Sequence, residues 1–494
     1  MKALKTESYI YYSNKFSLES IIFQISSLSN YMYNHPKNGY KHFGSSAQAM
    51  SYEAIANNRI VSGQVTVSQW QLIDFLYDII INHSQQSQIN ISYDETLYLY
   101  MLYDCYFNKQ SGKYMDKNKH RVMLAVFSFA GEQFTFQRKG QLYYSLLRER
   151  YIVEKFSKLA SEKNQIDVDL IVKTQTDLNL QEFYDSFAVV CQTFTIKPSL
   201  QKTEINNMFK SNDEYKKRFL TIIQKYSIKL TDVKDAENKR QTFYSTPIIE
   251  TDTGYICPNI FLLLNSLCHS EFWIVRNYFS SFEDGRKSQF ITAFGEYFEL
   301  YVHELFANCL TEGAYEKIEP EKTAGKKRCD WQLTLGDYVF LIEQKSSIAA
   351  TAIKQQLSDV DKTVQYIKRN WEEAIEQLNE TEKARNYKNA IKIILSYEQY
   401  LTSSTLNELF LLTDNTKNDG YYWLVNIDEF EKLIMLYKND QQKFFDVIAD
   451  KIKDSKDTKF NTDLNTFLIN HDIVLNDYIA FLRLHDEYCS SLDK

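Results

Sequence analysis

The chain predicts an α+β protein of several domains: a mostly helical N-terminal region, an α/β region, and a short helical C-terminal extension. Three observations carry that expectation. Over residues 1–230 apolar side chains recur at helical spacing. Between Arg328 and Lys345, two runs rich in branched and aromatic residues flank Gly336-Asp337. That is a short-hairpin signal, because glycine takes the positive φ a tight turn demands. Beyond about Lys438 the chain becomes polar and helical again. A length of 494 residues suggests two to four domains, and a hydrophobic content of 44% is enough to bury a core.

In residues 1–230, Ser17 opens a run with Ile21, Ile22, Ile25 and Leu28, and Ser68 precedes Leu72, Phe75, Leu76, Ile79 and Ile80. Similar runs follow Asp94 (Leu97, Met101, Leu102), span Tyr143 to Leu159, and surround Phe183 to Cys191. Tyr98, Tyr100, Tyr103 and Tyr106 offer a surface on which bases can stack. Aromatics at helical spacing more often fill a core and its rim. The region shows no repeat and no catalytic constellation, which leaves it the part of a sensor, a specificity module or an oligomerisation platform.

Residues 231–287 begin with a polar stretch, Thr231 to Arg240, read as a linker. Thr246-Pro247-Ile248-Ile249 and Tyr255-Ile256-Cys257 then flank the turn residues Thr251 to Gly254, predicting a hairpin. Pro258 suits the first turn of a helix through Phe261, Leu262, Leu263 and Leu267. This segment is expected to dock on the region that follows it.

The α/β region covers residues 288–435. A helix from about Ser288 to Leu310 carries Phe294, Phe298, Tyr301, Val302, Leu305 and Phe306 as an apolar stripe, with Glu299 set inside it and His303 one turn on. In the hairpin, register follows by counting. If Leu335 pairs with Tyr338, Asp330 falls opposite Glu343 and both project from one face. Cross-strand partners have Cβ atoms about 4.5–5.5 Å apart, and like charges so placed destabilise a sheet unless something neutralises them. A divalent cation would. The period of two returns Lys345 to the same face. A long helix from about Ala352 to Thr381 follows, carrying Lys362, Gln365, Lys368, Arg369 and Gln377. Ile391 to Leu395 and Trp423 to Ile427 read as further strands, and Asp428 as the cap of a helix Glu429 to Leu436. Residues 436–494 form the extension, interrupted at Asp454 to Lys459.

Asp330, a spacer ending in an apolar strand, and Glu343-Gln344-Lys345 together resemble the signature of the PD-(D/E)XK nuclease superfamily. Its members include restriction endonucleases and Holliday-junction resolvases. Cys329 stands where the naming proline would be. The resemblance covers roughly residues 288–435 and implies a restriction-endonuclease-like core. It also implies an acid on the preceding helix, matched here to Glu299 with Glu296 as fallback. By this resemblance Asp330, Glu343 and the Gln344 backbone carbonyl would hold Mg²⁺, with Mn²⁺ as substitute. Lys345 would act on the attacking water, and Glu299 would position water or a second ion. Lys326, Lys327 and Arg328 form a basic cluster ahead of Asp330 where a phosphate backbone would arrive, joined by Lys368 and Arg369. His303, Gln365 and Gln377 are accessory candidates. Other Glu-x-Lys triplets, at Glu214 and Glu237, lack any hairpin before them.

The expected activity is a metal-dependent endonuclease acting on nucleic acid, DNA favoured, in the manner of a bacterial restriction or anti-phage effector. The competing class is a catalytically silent nuclease-like module that binds nucleic acid or a partner protein. A net charge of −7 gives no whole-protein case for nucleic acid, so contact must come from local basic clusters. No segment has membrane-span length, no apolar leader opens the chain, and seven scattered cysteines match a reducing cytoplasm. An activator or partner protein acting through the helical region, and self-association, are both compatible with the sequence. A Gly-x-x-x-x-Gly-Lys-Ser/Thr loop is absent, which argues against an ATP-driven motor.

Overall fold

The helices form where the apolar spacing predicts them, and the computed structural model assembles them with two small mixed sheets. It describes residues 8–34, 67, 69–118, 142–235, 239–319, 328–346, 348, 360–398, 421–457 and 462–473. The chain divides into two compact units. The first comprises 1–117, 135–143 and 169–270, and the second comprises 118–134, 144–168 and 271–494.

In the first unit, Ile21, Ile22, Ile25 and Leu28 are buried on the helix Leu18–Asn34, and Leu72, Phe75, Leu76, Ile79 and Ile80 on the helix Gln69–Asn82. Ser68 lies outside the described residues. Tyr100 and Tyr103 are buried in the helix Tyr93–Lys117, where Tyr103 meets Tyr9 edge-on at 5.7 Å. Two of the four tyrosines thus belong to the core. The unit's sheet contains β1 (Ser199–Gln201), β2 (Ser227–Lys229), β3 (Ile248–Glu250) and β4 (Gly254–Ile256) in the order β1-β4-β3-β2, with only β2–β3 parallel.

Several boundaries differ from expectation. The hairpin β3–β4 forms, at the centre of the first unit's sheet, because β4 pairs with β1 and β3 with β2. The backbones of β1 and β4 approach so closely that a Cβ on Gly254 would lie 2.3 Å from the Leu200 carbonyl oxygen. Where described, the linker-like stretch is helical, as Leu230–Asp235 and from Lys239 onward, and buried Val233 anchors it. Pro258 precedes the helix Ile260–Cys268 rather than opening it. Asn259 is the cap, accepting from Phe261 N at 2.9 Å while its amide reaches Gln69 Oε1 at 2.8 Å. The helical run Leu142 to Leu159, read with the N-terminal region, belongs from Tyr144 onward to the second unit.

The second unit is built on a five-stranded sheet, β5 (Tyr315–Lys317), β6 (Trp331–Leu335), β7 (Tyr338–Lys345), β8 (Ile391–Ser396) and β9 (Tyr422–Asn426), in that order. β5, β6 and β7 are antiparallel, and β8 and β9 run parallel to β7. Every residue of β8 and β9 is buried, as expected of parallel strands covered on both faces. Gly336 takes φ +59° at the first turn position of the β6–β7 hairpin, and a Cβ there would lie 2.7 Å from Phe445 Cζ. Phe445 comes from the helix Gln441–Asp457, so the C-terminal helices close the hairpin's tip. The long helix Gln289–Cys309 buries its predicted stripe, and the helix running Val360 to Arg385, with a π-helical stretch at Lys368–Glu372, leads from β7 to β8.

The helix after β9 spans Ile427–Asn439, and its cap is Asn426, in a reciprocal arrangement with Glu429. Asp428 is occupied elsewhere. It and Glu431 receive the buried Arg148, whose Nε and Nη2 bond the two Glu431 oxygens at 2.6 and 2.8 Å. Tyr301 adds a hydroxyl to Glu431 at 2.5 Å, so three helices of this unit meet in one buried polar cluster. Among the described residues no helix is long and apolar enough to cross a membrane.

Candidate active site

Strand alternation sorts the side chains of the β6–β7 hairpin onto two faces. Trp331, Leu333 and Leu335 are buried on one of them. There Trp331 Nε1 donates to Gln344 Oε1, and the Gln344 amide reaches the Phe298 carbonyl at 3.4 Å, so this face meets the helix Gln289–Cys309. Glu343 and Lys345 belong to the other face. The ladder runs from Trp331 opposite Ile342 to Leu335 opposite Tyr338 and stops there. Asp330 is a bend just before it, with its N–H on Ile342 O rather than on Glu343, and its Oδ2 on Gln344 N brings its carboxylate beside Glu343.

Backbone bonds fix Asp330 tightly. Its N–H donates to Ile342 O at 3.0 Å and its carbonyl accepts from Ile318 N at 2.9 Å. Its Oδ2 accepts from Gln344 N at 2.7 Å. The helix Glu373–Arg385 grips the residues just before it. Thr381 Oγ1 accepts from Cys329 N at 3.0 Å, and Gln377 Nε2 donates to Arg328 O at 3.1 Å.

Glu343 is only 3% exposed. Its Oε1 accepts from Lys345 Nζ at 2.8 Å, while Oε2 is buried without a hydrogen-bond partner. Burial first, and then the Asp330 charge, push this carboxyl up to about 8 despite Lys345; the Gln377 amide lies near enough to oppose the shift weakly, although its hydrogen bond goes to Arg328. Burial also raises Asp330, with Gln344 N–H and Lys345 pulling it down and Glu299 pushing it up. A buried acid whose ionisation is further suppressed by its neighbour's charge, and which keeps an unsatisfied buried oxygen, makes a place where a cation is stabilising.

The remaining candidates divide. Glu299 is not inside the apolar stripe. Its carboxylate stands at the margin, 31% exposed, and receives Lys317 Nζ. One residue past the buried Phe298, the helical rotation carries it outward. Glu296 does not join the acids. It accepts from Ser161 N at 2.6 Å, Ser161 Oγ at 2.7 Å and Asn164 Nδ2, and so holds the turn Ser161–Asn164. His303 is exposed and stacks on Trp331 with centroids 5.9 Å apart. Arg328 turns to the helix Glu373–Arg385, donating to Glu380 O at 3.3 Å. Lys368 and Gln365 are exposed on the helix leading to β8, where the backbone of Arg369 also lies. Lys326 and Lys327 fall outside the described residues.

Two participants were not legible in the sequence. Lys317 lies on β5, a three-residue strand of sequence Tyr-Glu-Lys with no apolar run to announce it. The hydrogen bond to Glu299 comes first, and the charges of Glu319 and Asp330 add to it, in raising the Lys317 pKa. Thr381 is the other, and a buried threonine four residues after Gln377 is only a weak signal. Between Gln365 and Gln377, the structure places Gln377 beside the acids.

Among the described residues no group of three or more His, Cys, Asp or Glu side chains is arranged to hold a metal ion. An ion at this place would rest on Asp330, Glu343 and oxygens of backbone, solvent and substrate. No family model, no curated protein and no solved structure matches the chain.

Proposed function

We propose that the second unit is a metal-dependent phosphodiester hydrolase acting on nucleic acid, with DNA the favoured substrate. One observation carries the reading: the Asp330 carboxylate, held on Gln344 N, lies beside Glu343, whose Oε2 is buried and unpartnered. The order helix, antiparallel hairpin, helix, parallel strand, strand supports it, since that is the arrangement the resemblance implies.

The donor set suits Mg²⁺, which takes oxygen ligands and usually only one or two carboxylates, with waters and phosphate oxygens completing its shell. Asp330, Glu343 and the Gln344 carbonyl would hold it. Such an ion, or Mn²⁺ in its stead, supplies Lewis acidity toward the scissile phosphate and its attacking water. The chain's own residues do the rest. Asp330, locked by its backbone bonds and by Gln344 N–H, and Glu343, locked by Lys345, present fixed oxygen donors, the Glu343 proton leaving as the ion binds. Lys345, with a side chain 20% exposed, orients the attacking water and offsets negative charge that builds on the phosphorus oxygens in the transition state. Gln377 and Thr381 are positioning residues, since each holds the backbone that presents Asp330.

The test is cleavage of supercoiled plasmid, linear duplex, single-stranded DNA and RNA with Mg²⁺ or Mn²⁺, comparing the wild type with Lys345→Ala. Metal-dependent cutting that disappears in the variant supports the hydrolase and names its substrate. Cutting by Lys345→Ala at the wild-type rate overturns this assignment. Metal binding unaffected by Asp330→Ala would identify a silent module instead.

A further inference from the structure

We infer that the first unit holds a binding site for a small uncharged molecule bearing a vicinal diol, a sugar or the ribose of a nucleoside, in a cleft between the helix Leu18–Asn34 and strands β1 and β4. The inference is independent of the hydrolase reading.

The cleft has a volume of about 400 Å³. Small-molecule sites run to roughly 300–1,000 Å³. Its walls are tied to one another. Ser17 N donates to Ile89 O at 2.7 Å and Ile91 N donates to Ser20 Oγ at 3.0 Å, which clamps the segment carrying Asn90 to the start of the helix. Thr253 Oγ1 donates to Glu19 at 3.0 Å and joins the helix to the β3–β4 turn. Strands β1 and β4, drawn together at Gly254, form the floor.

Residues four apart on a helix share a face, and here that face presents Glu19 with Phe23 and Ser20 with Gln24 to the cleft. Among the described residues that line it, Glu19 is the one charged side chain. Lys202, next in sequence to the lining residue Gln201, is paired with Glu250 at 3.2 Å. The positive end of the helix is met by Glu19 in its own first turn. A phosphate would therefore meet a carboxylate and no cation, which disfavours anionic ligands. Hydroxyl groups fit instead. A carboxylate only accepts, and its two oxygens can take both hydroxyls of a vicinal diol at once. The amides of Gln24 and Asn90 have no hydrogen bond among the described residues, and each offers a donor and an acceptor to further hydroxyls. Phe23, 39% exposed, supplies a flat apolar face for a sugar ring or a base.

The experiment is saturation-transfer NMR on the full chain with millimolar ribose, glucose, adenosine, deoxyadenosine, AMP and putrescine, with calorimetry on whatever binds. Wild type is compared with Glu19→Gln, which keeps an acceptor for Thr253, and with the exposed-site variant Phe23→Ala; circular dichroism checks that both fold. A sugar or adenosine is expected to bind, with both variants at least about tenfold weaker. Binding of adenosine but neither free sugar, with deoxyadenosine and AMP about tenfold weaker, would name a nucleoside site; binding of a free sugar but not adenosine would name a sugar site. No saturation transfer to any diol would overturn the inference, as would AMP or putrescine binding as tightly as the diols, or an affinity that Glu19→Gln leaves unchanged.

Discussion

Lys345 Nζ lies 2.8 Å from Glu343 Oε1, two residues along the same strand, and it is the cation that answers this buried carboxyl. The relationship makes Lys345 both a structural counter-charge and the group nearest to any chemistry at the acids.

Replacing it separates the two parts. Lys345→Ala is expected to lower metal-dependent cleavage at least about 100-fold, the scale of losing a positioned proton-handling group. Lys345→Arg keeps the charge and should restore Glu343's partner but little of the rate. Cleavage rates of both variants, beside their thermal melting temperatures, provide the check.

Metal binding at Glu343 should depend on pH with a definite sign. The folded-state carboxyl is raised from its ordinary 4.5 to about 8. Between those values the folded protein holds a proton that the unfolded chain has lost, so in chelator-treated buffer stability falls as pH rises toward 8. Glu343→Gln removes that dependence and should be the more stable form above pH 8. An ion must displace the proton to bind, so Mn²⁺ should raise the wild-type melting temperature more at pH 8.5 than at pH 6, and not raise that of Glu343→Gln. An equal Mn²⁺ effect at both pH values would refute this.

Arg148 is expected to be structurally critical although it lies outside the candidate site. Its guanidinium joins Asp428 and Glu431, and Tyr301 completes the cluster. Arg148→Ala would leave two buried carboxylates without their cation, at a cost of about 3–5 kcal/mol. Urea denaturation of wild type and variant would measure it.

Lys451 should behave in the opposite way. Burial lowers its pKa to about 8, and its ammonium sits near the rings of Trp423 and Phe467 with a hydrogen bond to Ser455 at 2.9 Å. Between pH 8 and its ordinary 10.5, the unfolded chain holds a proton that the folded protein lacks, so this residue's contribution to stability improves as pH rises there. Lys451→Met is expected to stabilise the protein at pH 7, by roughly 1–4 kcal/mol if it follows other buried charges replaced by apolar groups. A melting temperature below the wild type's would count against it.

The hairpin was legible because two local rules act together at one place. Gly336 marks the turn, period-two alternation fixes the faces, and counting gives the ladder from Leu335 opposite Tyr338 to Trp331 opposite Ile342 without any tertiary information, whereas Asp330 lies just beyond it in a bend. The amphipathic helices were legible for the same reason. What escaped depends on contacts distant in sequence. Lys317 meets Glu299 from a strand too short and polar to be noticed. Glu296 and Glu299 are both acids on one helix, and nothing local says that Ser161 and Asn164 claim one and Lys317 the other. Asp428 looked like a helix cap because its neighbour Asn426, the true cap, satisfies the same rule two residues earlier.

Neither unit is one continuous stretch of chain: residues 144–168 belong with residues 271 onward, and 169–270 lie between them in sequence. Arg148 must therefore wait during synthesis until Asp428, 280 residues later, has been made. A ribosome adding about 5–20 residues per second leaves that arginine without its native carboxylates for roughly 15–60 seconds. For that interval only part of its native surroundings can form, since Phe272, which donates to Glu149, and Glu304, which receives Tyr151, are made well before Asp428.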